Sequence, residues 1–306
     1  MDSEGKETDL YLISSVSLPS WCRLKGLLFG LAVLLLSGCQ LLMPTSVKEP
    51  YEVADSTDAE SAYREALILD RTGRKADLYK ANVLLAYSAE RGHTGAQYLL
   101  GMNRLLGRGG DKEPTAARAL LTQAAESGHA SAQYFLAEMM LNGRGGESEL
   151  AWGAQWMERA AANGQVEAQL AMGVIYASGL GGRENIPMAL LWLSRAEHNG
   201  DQTAPLLIQK LSARVDKPRW QAVQRQIAGR ISIDPREARR AITRFVQLSL
   251  NNAGYAAGVE DGIAGPRTRA AVAAFRNAKK LTGQGIDDPL LSQLRSSQLA
   301  YEQQAK

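Results

Sequence analysis

Along residues 151–163 apolar side chains return at helical spacing, at Trp152, Trp156, Met157, Ala160 and Ala161. Residues 166–177 repeat the pattern with Ala168, Leu170, Ala171, Val174 and Ile175. Each run predicts a helix with one apolar stripe. Gly164 lies between them, where a helix C-terminus wants a left-handed residue without a Cβ, and Gly179-Leu180-Gly181-Gly182 turns the chain back. This unit recurs. Gly92, Gly128, Gly164 and Gly200 stand 36 residues apart, and Ala96, Ala132, Ala168 and Ala204 keep the same step. Gln97, Gln133 and Gln169 follow in phase, as do Gly107, Gly143 and Gly179 with their trailing glycine pairs. A fixed period of this length is the mark of a stacked helix-pair array. Alanine at 96, 132, 168 and 204 predicts close approach of paired helices. Trp156 and Trp192, at equivalent positions, predict packing between repeats. His93 and His129 share one turn position, occupied further on by Gln165 and Asp201, and read as polar caps.

From Pro235 the period is lost. Ala241, Phe245, Val246, Leu248 and Leu250 predict an amphipathic helix that closes at Asn252-Ala253-Gly254-Tyr255. A glycine-rich loop, residues 258–265, leads to Pro266, which suits a first helical turn. A second helix carries Ala270, Val272, Ala273 and Phe275, and a short third runs from Pro289 to Leu294. Three helices sharing one core make a small but feasible unit. The fold class is therefore all-α: a helix-pair repeat solenoid followed by a small three-helix domain.

The repeat text resembles the Sel-one-like repeats, relatives of the tetratricopeptide repeats. The resemblance rests on Ala89-Glu90-Arg91-Gly92-His93 through Ala96-Gln97-Tyr98-Leu99-Leu100-Gly101, on Ala125-Glu126-Ser127-Gly128-His129 through Ala132-Gln133-Tyr134, and on Ala168-Gln169-Leu170 through Met172-Gly173 and Tyr176. It covers about residues 58–211 and implies a right-handed superhelix whose concave face binds proteins or peptides. The first and last units, residues 58–71 and 201–214, depart from the pattern, as capping repeats do.

The C-terminal text resembles the peptidoglycan-binding domain appended to many cell-wall amidases and carboxypeptidases. It supplies Val246-Gln247, Leu250, Gly254-Tyr255, Gly258, Asp261-Gly262, Gly265, Thr268, Ala271-Val272 and Phe275, and departs at Arg276, where that family usually has glutamine. If a sugar-peptide groove is present, the resemblance sets it around the Asp261–Thr268 loop, drawing on Tyr255, Asp261, Gly265, Arg267, Thr268 and Arg269. The two arginines suit the carboxylates of peptide stems. Asp261 and Thr268 also suit the tying of a turn and of a first helical turn, and Tyr255 suits core or groove equally. Phe275 and Val272 are core positions.

At the other end, Arg23 and Lys25 precede an apolar run, residues 27–36. That run is shorter than the roughly 20 residues a spanning helix needs. It ends in Leu36-Ser37-Gly38-Cys39, the layout of a secretion signal. The pattern resembles the bacterial lipobox, which implies diacylglycerol on the Cys39 thiol, each buried methylene adding about 0.8 kcal/mol of membrane binding. Gln40 follows, which by the enteric sorting rule implies the outer membrane, facing the periplasm. The alternative is a signal peptide or uncleaved anchor in which Cys39 has no such role. Asp2, Glu4, Glu7 and Asp9 do not suit the front of a signal and point to a start near Val16 or Leu18; N-terminal sequencing of the precursor checks this. Residues 40–57, rich in Pro, Ser and acids without periodicity, read as a flexible tether. The predicted organisation is signal 1–39, tether 40–57, solenoid 58–214, linker 215–235 with Trp220 as a packing anchor, and binding domain 236–300.

Composition agrees with thin stacked helices: 45% hydrophobic residues, only 6% aromatics and 29 glycines. Cys22 and Cys39 are the two cysteines, so no disulfide framework or cysteine metal site is expected. Net charge is +3, which does not point to nucleic acid. Charge is uneven, with 15 Lys/Arg against 5 Asp/Glu over residues 209–280 and 14 against 17 over residues 57–208. The basic C-terminal part reads either as solvated helix faces or as a surface for a polyanion, lipid headgroups or a carboxylate-bearing wall polymer. No serine-histidine elbow, histidine metal pair or phosphate-cradling loop occurs, so no enzyme, cofactor or metal is expected. The expected function is a lipid-anchored periplasmic adaptor that binds peptidoglycan and recruits a protein partner. The alternatives are an accessory regulator of a cell-wall hydrolase and a scaffold of an exopolysaccharide-export complex.

Overall fold

Gly164 takes φ +93°, and Gly92, Gly128 and Gly200 are likewise left-handed, so each ends a helix where an L side chain would be strained. The N–H of Gln165 then returns to the Ala160 carbonyl at 3.1 Å, satisfying an end-of-helix acceptor. The computed structural model describes residues 51–54, 57–228 and 237–305; the segment read as a signal, with Cys39, lies outside them. Thirteen helices and no strand occur among the described residues.

The repeat array comprises α1 (Ala59–Arg71), α2 (Lys75–Glu90), α3 (Thr94–Leu106), α4 (Pro114–Glu126), α5 (Ala130–Leu141), α6 (Leu150–Ala162), α7 (Val166–Ser178), α8 (Ile186–His198) and α9 (Ala204–Ser212). Each packs on its chain neighbours. Small residues set the spacing between the helices that a glycine-rich loop joins, α3 with α4 and α7 with α8. A Cβ on Gly101 would sit 3.0 Å from Leu121 Cγ, and one on Gly173 would collide with Leu193, equivalent contacts two repeat steps apart. The four repeat alanines, Ala96, Ala132, Ala168 and Ala204, are fully buried, and Trp156 and Trp192 are enclosed in the central core. Between helix pairs, a Cβ on Gly109 would lie 2.6 Å from the Leu78 carbonyl oxygen, and those on Gly145 and Gly181 would crowd the Pro114 and Leu150 carbonyls. The central glycine of each loop is therefore the place where one repeat's backbone rests on the next.

Polar side chains repeat with the same step. Gln97, Gln133 and Gln169 donate to the Ala89, Ala125 and Ala161 carbonyls at 3.3, 3.0 and 3.2 Å. Asn163 and Asn199 in turn donate to the Gln133 and Gln169 side-chain oxygens at 2.7 and 2.8 Å, linking successive turns. His93 and His129 cap α3 and α5, their Nδ1 atoms accepting the Ala96 and Ala132 N–H groups at 3.1 and 3.2 Å.

After α9 the chain doubles back. α10 (Lys217–Ala228) lies on α8, and α11 (Glu237–Asn252) lies on α6. α12 (Pro266–Lys279) and α13 (Asp288–Gln304) close a small core with α11, and α13 also reaches α6. Three details differ from expectation. Much of the bridging stretch is helical, because Trp220 and Val223 bury against Leu190 and Leu191. The third C-terminal helix runs Asp288–Gln304 and does not stop at Leu294, extended by residues that contact α6 and α11. At the far end of the tether, Tyr51 and Val53 pack on the core of α1–α3, and Tyr87 donates to the Thr57 carbonyl at 2.6 Å. The tether reading is thereby left to the residues before 51.

Candidate functional site

Gln247, on α11, is 2% exposed and organises the loop to α12. Its amide nitrogen lies 3.0 Å from Asp261 Oδ1, 3.1 Å from the Ile263 carbonyl and 3.2 Å from Thr268 Oγ1, while its Oε1 accepts the Gly262 N–H at 2.9 Å. Thr268 donates onward to the Ala257 carbonyl at 3.0 Å. Burial alone would push the Asp261 carboxyl pKa up. Hydrogen bonds from Gln247 and the Ile263 N–H, with the Arg244 charge nearby, outweigh it and hold that carboxyl below its usual range.

The residues expected at a groove therefore part company. Thr268 is 2% exposed, with its hydroxyl spent on the loop. Asp261 is exposed but committed to Gln247 and Ile263. Tyr255 is half-buried, edge-on to Phe275 with ring centres 5.4 Å apart. Gly265 is the extended residue that starts α12. Arg269 is exposed and donates to the Ala264 carbonyl at 2.6 Å. Arg267 is exposed and lines a cavity described below. Arg276, standing where the family has glutamine, is buried and donates to the Thr282 and Gly285 carbonyls while pairing with Asp287. It holds the α12–α13 loop from within.

The face of α6 turned to the C-terminal helices is specialised. Trp152 meets Phe245 edge-on at 4.7 Å, and the Arg295 guanidinium lies over the Trp152 ring at 5.4 Å. Glu158, 3% exposed, pairs with Arg244 and accepts from the Tyr176 hydroxyl at 3.2 Å. Arg244 also donates to the Asp261 carbonyl at 3.3 Å, which ties the α11–α12 loop to the solenoid. Glu149 is held from both sides, by Arg118 of α4 and Arg295 of α13. Burying ions costs several kcal/mol each unless paired, so these contacts fix one docking geometry.

Between α6, the loop 180–185 and the α11–α12 loop lies a cavity of about 430 Å³. Met172, Ile175, Phe245 and Leu248 give it apolar walls, and Arg183, Glu184, Glu260 and Arg267 line it as well. Gln155 also lines it; that residue is 4% exposed, and neither its Nε2 nor its Oε1 has a hydrogen-bond partner. Among the described residues no group of three or more His, Cys, Asp and Glu is placed to hold a metal ion. No helix among them is long and apolar enough to cross a membrane.

Sequence reasoning passed over Gln155, Glu158, Arg183 and Arg244. A signal was present in the first two. One repeat step before and after Gln155 stand Ala119 and Leu191, and around Glu158 stand Thr122 and Ser194. An amide and a carboxylate at positions otherwise small or apolar mark α6 as the helix that meets something other than its neighbours.

Comparison with protein families matches residues 94–129, 130–165 and 166–201 to the Sel1 repeat, and residues 239–292 to the family described as "Putative peptidoglycan binding domain". The chain thus carries Sel1 repeats followed by a domain of the peptidoglycan-binding type. A Sel1 repeat protein from Oxalobacter formigenes is similar in structure, with 22% identity, a TM-score of 0.49, and coverage of 60% of this chain and 85% of that one. So is c5321, a protective antigen present in uropathogenic Escherichia coli strains and displaying an SLR fold, with 18% identity, a TM-score of 0.47, and coverage of 79% and 53%. No curated protein matches.

Proposed function

We propose that this protein is a cell-envelope adaptor, non-catalytic, whose C-terminal domain binds peptidoglycan and whose Sel1 solenoid recruits a protein partner. The observation that carries the reading is the knot of Gln247, Asp261 and Thr268 inside the residues that match the peptidoglycan-binding family. It holds the α11–α12 loop in one shape and leaves Arg267 and Arg269 exposed on a basic part of the chain, as carboxylate-bearing stems require. The repeats support the partner role, since stacked helix pairs offer an extended surface for another protein. In this proposal Cys39 carries lipid and anchors the protein to the outer membrane, facing the periplasm. Docking of α11 and α13 on α6 would then make wall attachment and partner recruitment properties of one body. Each contact gains from the other through tethering.

Purified sacculi test the reading. The whole chain is expected to co-sediment with them in a salt-sensitive manner, and an Arg267→Ala, Arg269→Ala pair to reduce that binding. A wild-type chain that stays in the supernatant would overturn it.

A further inference from the structure

α5 and α7 are apolar nearly all round, with one charged residue each, Glu138 and Glu167. A helix of that composition is normally buried on every side. Here one side is open. Tyr98, Tyr134 and Leu170 share one repeat position on α3, α5 and α7, and Met102, Glu138 and Val174 share the next along that face. Five of the six are half-buried, and Val174 is 49% exposed. The other helix layer behaves differently. On α4 the exposed positions are polar, Thr115, Gln123 and Glu126, as water requires, and on α6 the apolar Trp152 has Phe245 set against it. The C-terminal helices lie chiefly on α6 and α8 and leave the open stripe uncovered. A contiguous apolar face of this kind marks an interaction site. We infer that the outward face of α3, α5 and α7 is the seat of a partner protein's amphipathic helix, one that brings an apolar stripe and a basic residue. This rests on the partner-recruiting half of the reading above and names the partner's chemistry.

Charge selects the basic residue. Glu138 accepts from the Tyr134 hydroxyl at 3.1 Å, and Glu167 from the Gln165 amide at 2.7 Å, both neutral donors. Among the described residues no cation pairs with either carboxylate. Burial first, then the charges of Glu138 and Glu167, push the Tyr134 hydroxyl up to about 12, so both carboxylates act on that one ring. Arg104, the single charged residue of α3, is already paired with Glu113 at 3.2 Å. The face thus has two uncompensated negative charges beside an aromatic ring, the surroundings that a lysine or arginine side chain takes best. Backbone selects the helix. The face is built of helices whose own N–H and C=O groups are spent internally, so an extended strand would find no ladder to join. A helix satisfies its own backbone and offers apolar side chains at three- and four-residue spacing.

Fluorescence anisotropy of the whole chain with two synthetic amphipathic helices, one of leucine and lysine and its twin of leucine and glutamate, tests the inference. Wild type is expected to bind the lysine helix at least about tenfold more tightly than the glutamate twin. Glu138→Lys with Glu167→Lys should invert that preference, and Val174→Asp should weaken the lysine helix about tenfold. Thr115→Lys with Gln123→Lys, the same number of added cations on the α4 face, should leave the preference in place. Inversion by the α4 pair as well would mean that only the long-range field of the chain is read, and the inference fails. Equal binding of the two helices, or no binding, overturns it too. Should the Glu138 and Glu167 double variant not fold, Glu167→Lys alone decides, because that side chain is exposed. A concentration-dependent dimer abolished by Val174→Asp in sedimentation would show that a second copy covers the face, and binding to phosphatidylcholine vesicles abolished by Val174→Asp would show that lipid does; either overturns the assignment. Sacculi co-sedimentation should be unchanged in Val174→Asp, so failure of the helix seat with wall binding intact overturns this inference alone, and loss of wild-type co-sedimentation overturns the wall reading alone.

Discussion

The carboxylate of Glu302, near the end of the chain, accepts the backbone N–H of Leu150 at 2.8 Å and that of Ala151 at 2.9 Å. Those donors open the first turn of α6, whose own N-cap residue, Glu149, makes no capping hydrogen bond with its side chain. The last helix therefore caps a helix in the middle of the repeat array, and places a negative charge at the positive end of its dipole. Glu302→Ala is expected to lower stability by about 1–2 kcal/mol in urea denaturation, with Glu302→Gln intermediate because its amide oxygen still accepts.

The Glu158–Arg244 pair is the second tie between the two parts. Both side chains are largely buried, at 4% and 12% exposure. Removing one partner from a buried pair costs about 3–5 kcal/mol, because the remaining charge is left in a poor solvent, whereas an apolar replacement of both is often close to neutral. Glu158→Ala is expected to show that full loss, and Glu158→Leu with Arg244→Met a much smaller one. A double-mutant cycle read by chemical denaturation checks the contrast. Hydrogen exchange of α11 in the single variant should rise toward that of exposed helices, since α6 is its main support.

The asparagine–glutamine ladder has a gap that predicts a stabilising change. Asn163 serves Gln133 and Asn199 serves Gln169, each 30 residues apart. Gln97 has Ser127 at that distance, and its Oε1 is buried without a hydrogen-bond partner. Ser127 has the backbone of a helix C-cap, φ −73° and ψ 2°, close to the −87° and 11° of Asn163. Ser127→Asn is therefore expected to complete the ladder and add about 0.5–1.5 kcal/mol, read as a rise in Tm. An unchanged Tm would show that the serine position cannot deliver the longer side chain.

Much of the array was legible because its signals are local. A left-handed residue after a helix demands glycine, so Gly92, Gly128, Gly164 and Gly200 print the period directly into the sequence. Histidine caps at His93 and His129 are read across three residues and come out as expected. The docking face of α6 was not legible, because its partners lie far along the chain: 86 residues separate Glu158 from Arg244, and 146 separate Glu149 from Arg295. Trp152 reads as one more apolar position in a helix stripe until Phe245 is seen against it. The C-terminal motif was legible as a motif and ambiguous as a site. Asp261 and Thr268 recur in such domains for a reason that sequence cannot separate from ligand contact, and the geometry gives them to Gln247. Arg276 shows the converse, a departure from the family pattern that turns out to hold a loop.

The cap on α5 makes stability depend on pH. His129 accepts the Ala132 N–H through Nδ1, and its ring stacks on Tyr98 with centres 4.4 Å apart. Acceptance requires the neutral ring, because a protonated Nδ1 is a donor. Burial is the main cause that holds the His129 pKa below its ordinary value, with its backbone hydrogen bond acting weakly in the other direction. The unfolded chain therefore takes up a proton at this residue near pH 6.5, before the folded protein does. Between the two values the unfolded state binds more protons, so stability falls as pH falls. The contribution is complete above about pH 6.5 and is lost as the pH drops through the folded value. Asparagine caps helices well and does not titrate in this range, so His129→Asn keeps the acceptor and removes the proton. Chemical denaturation at pH 7.5 and pH 5.5 is expected to show wild type losing stability relative to His129→Asn at the lower pH. Parallel behaviour of the two proteins would mean that the histidine cap tolerates protonation, and that another group sets the acid sensitivity of the repeat.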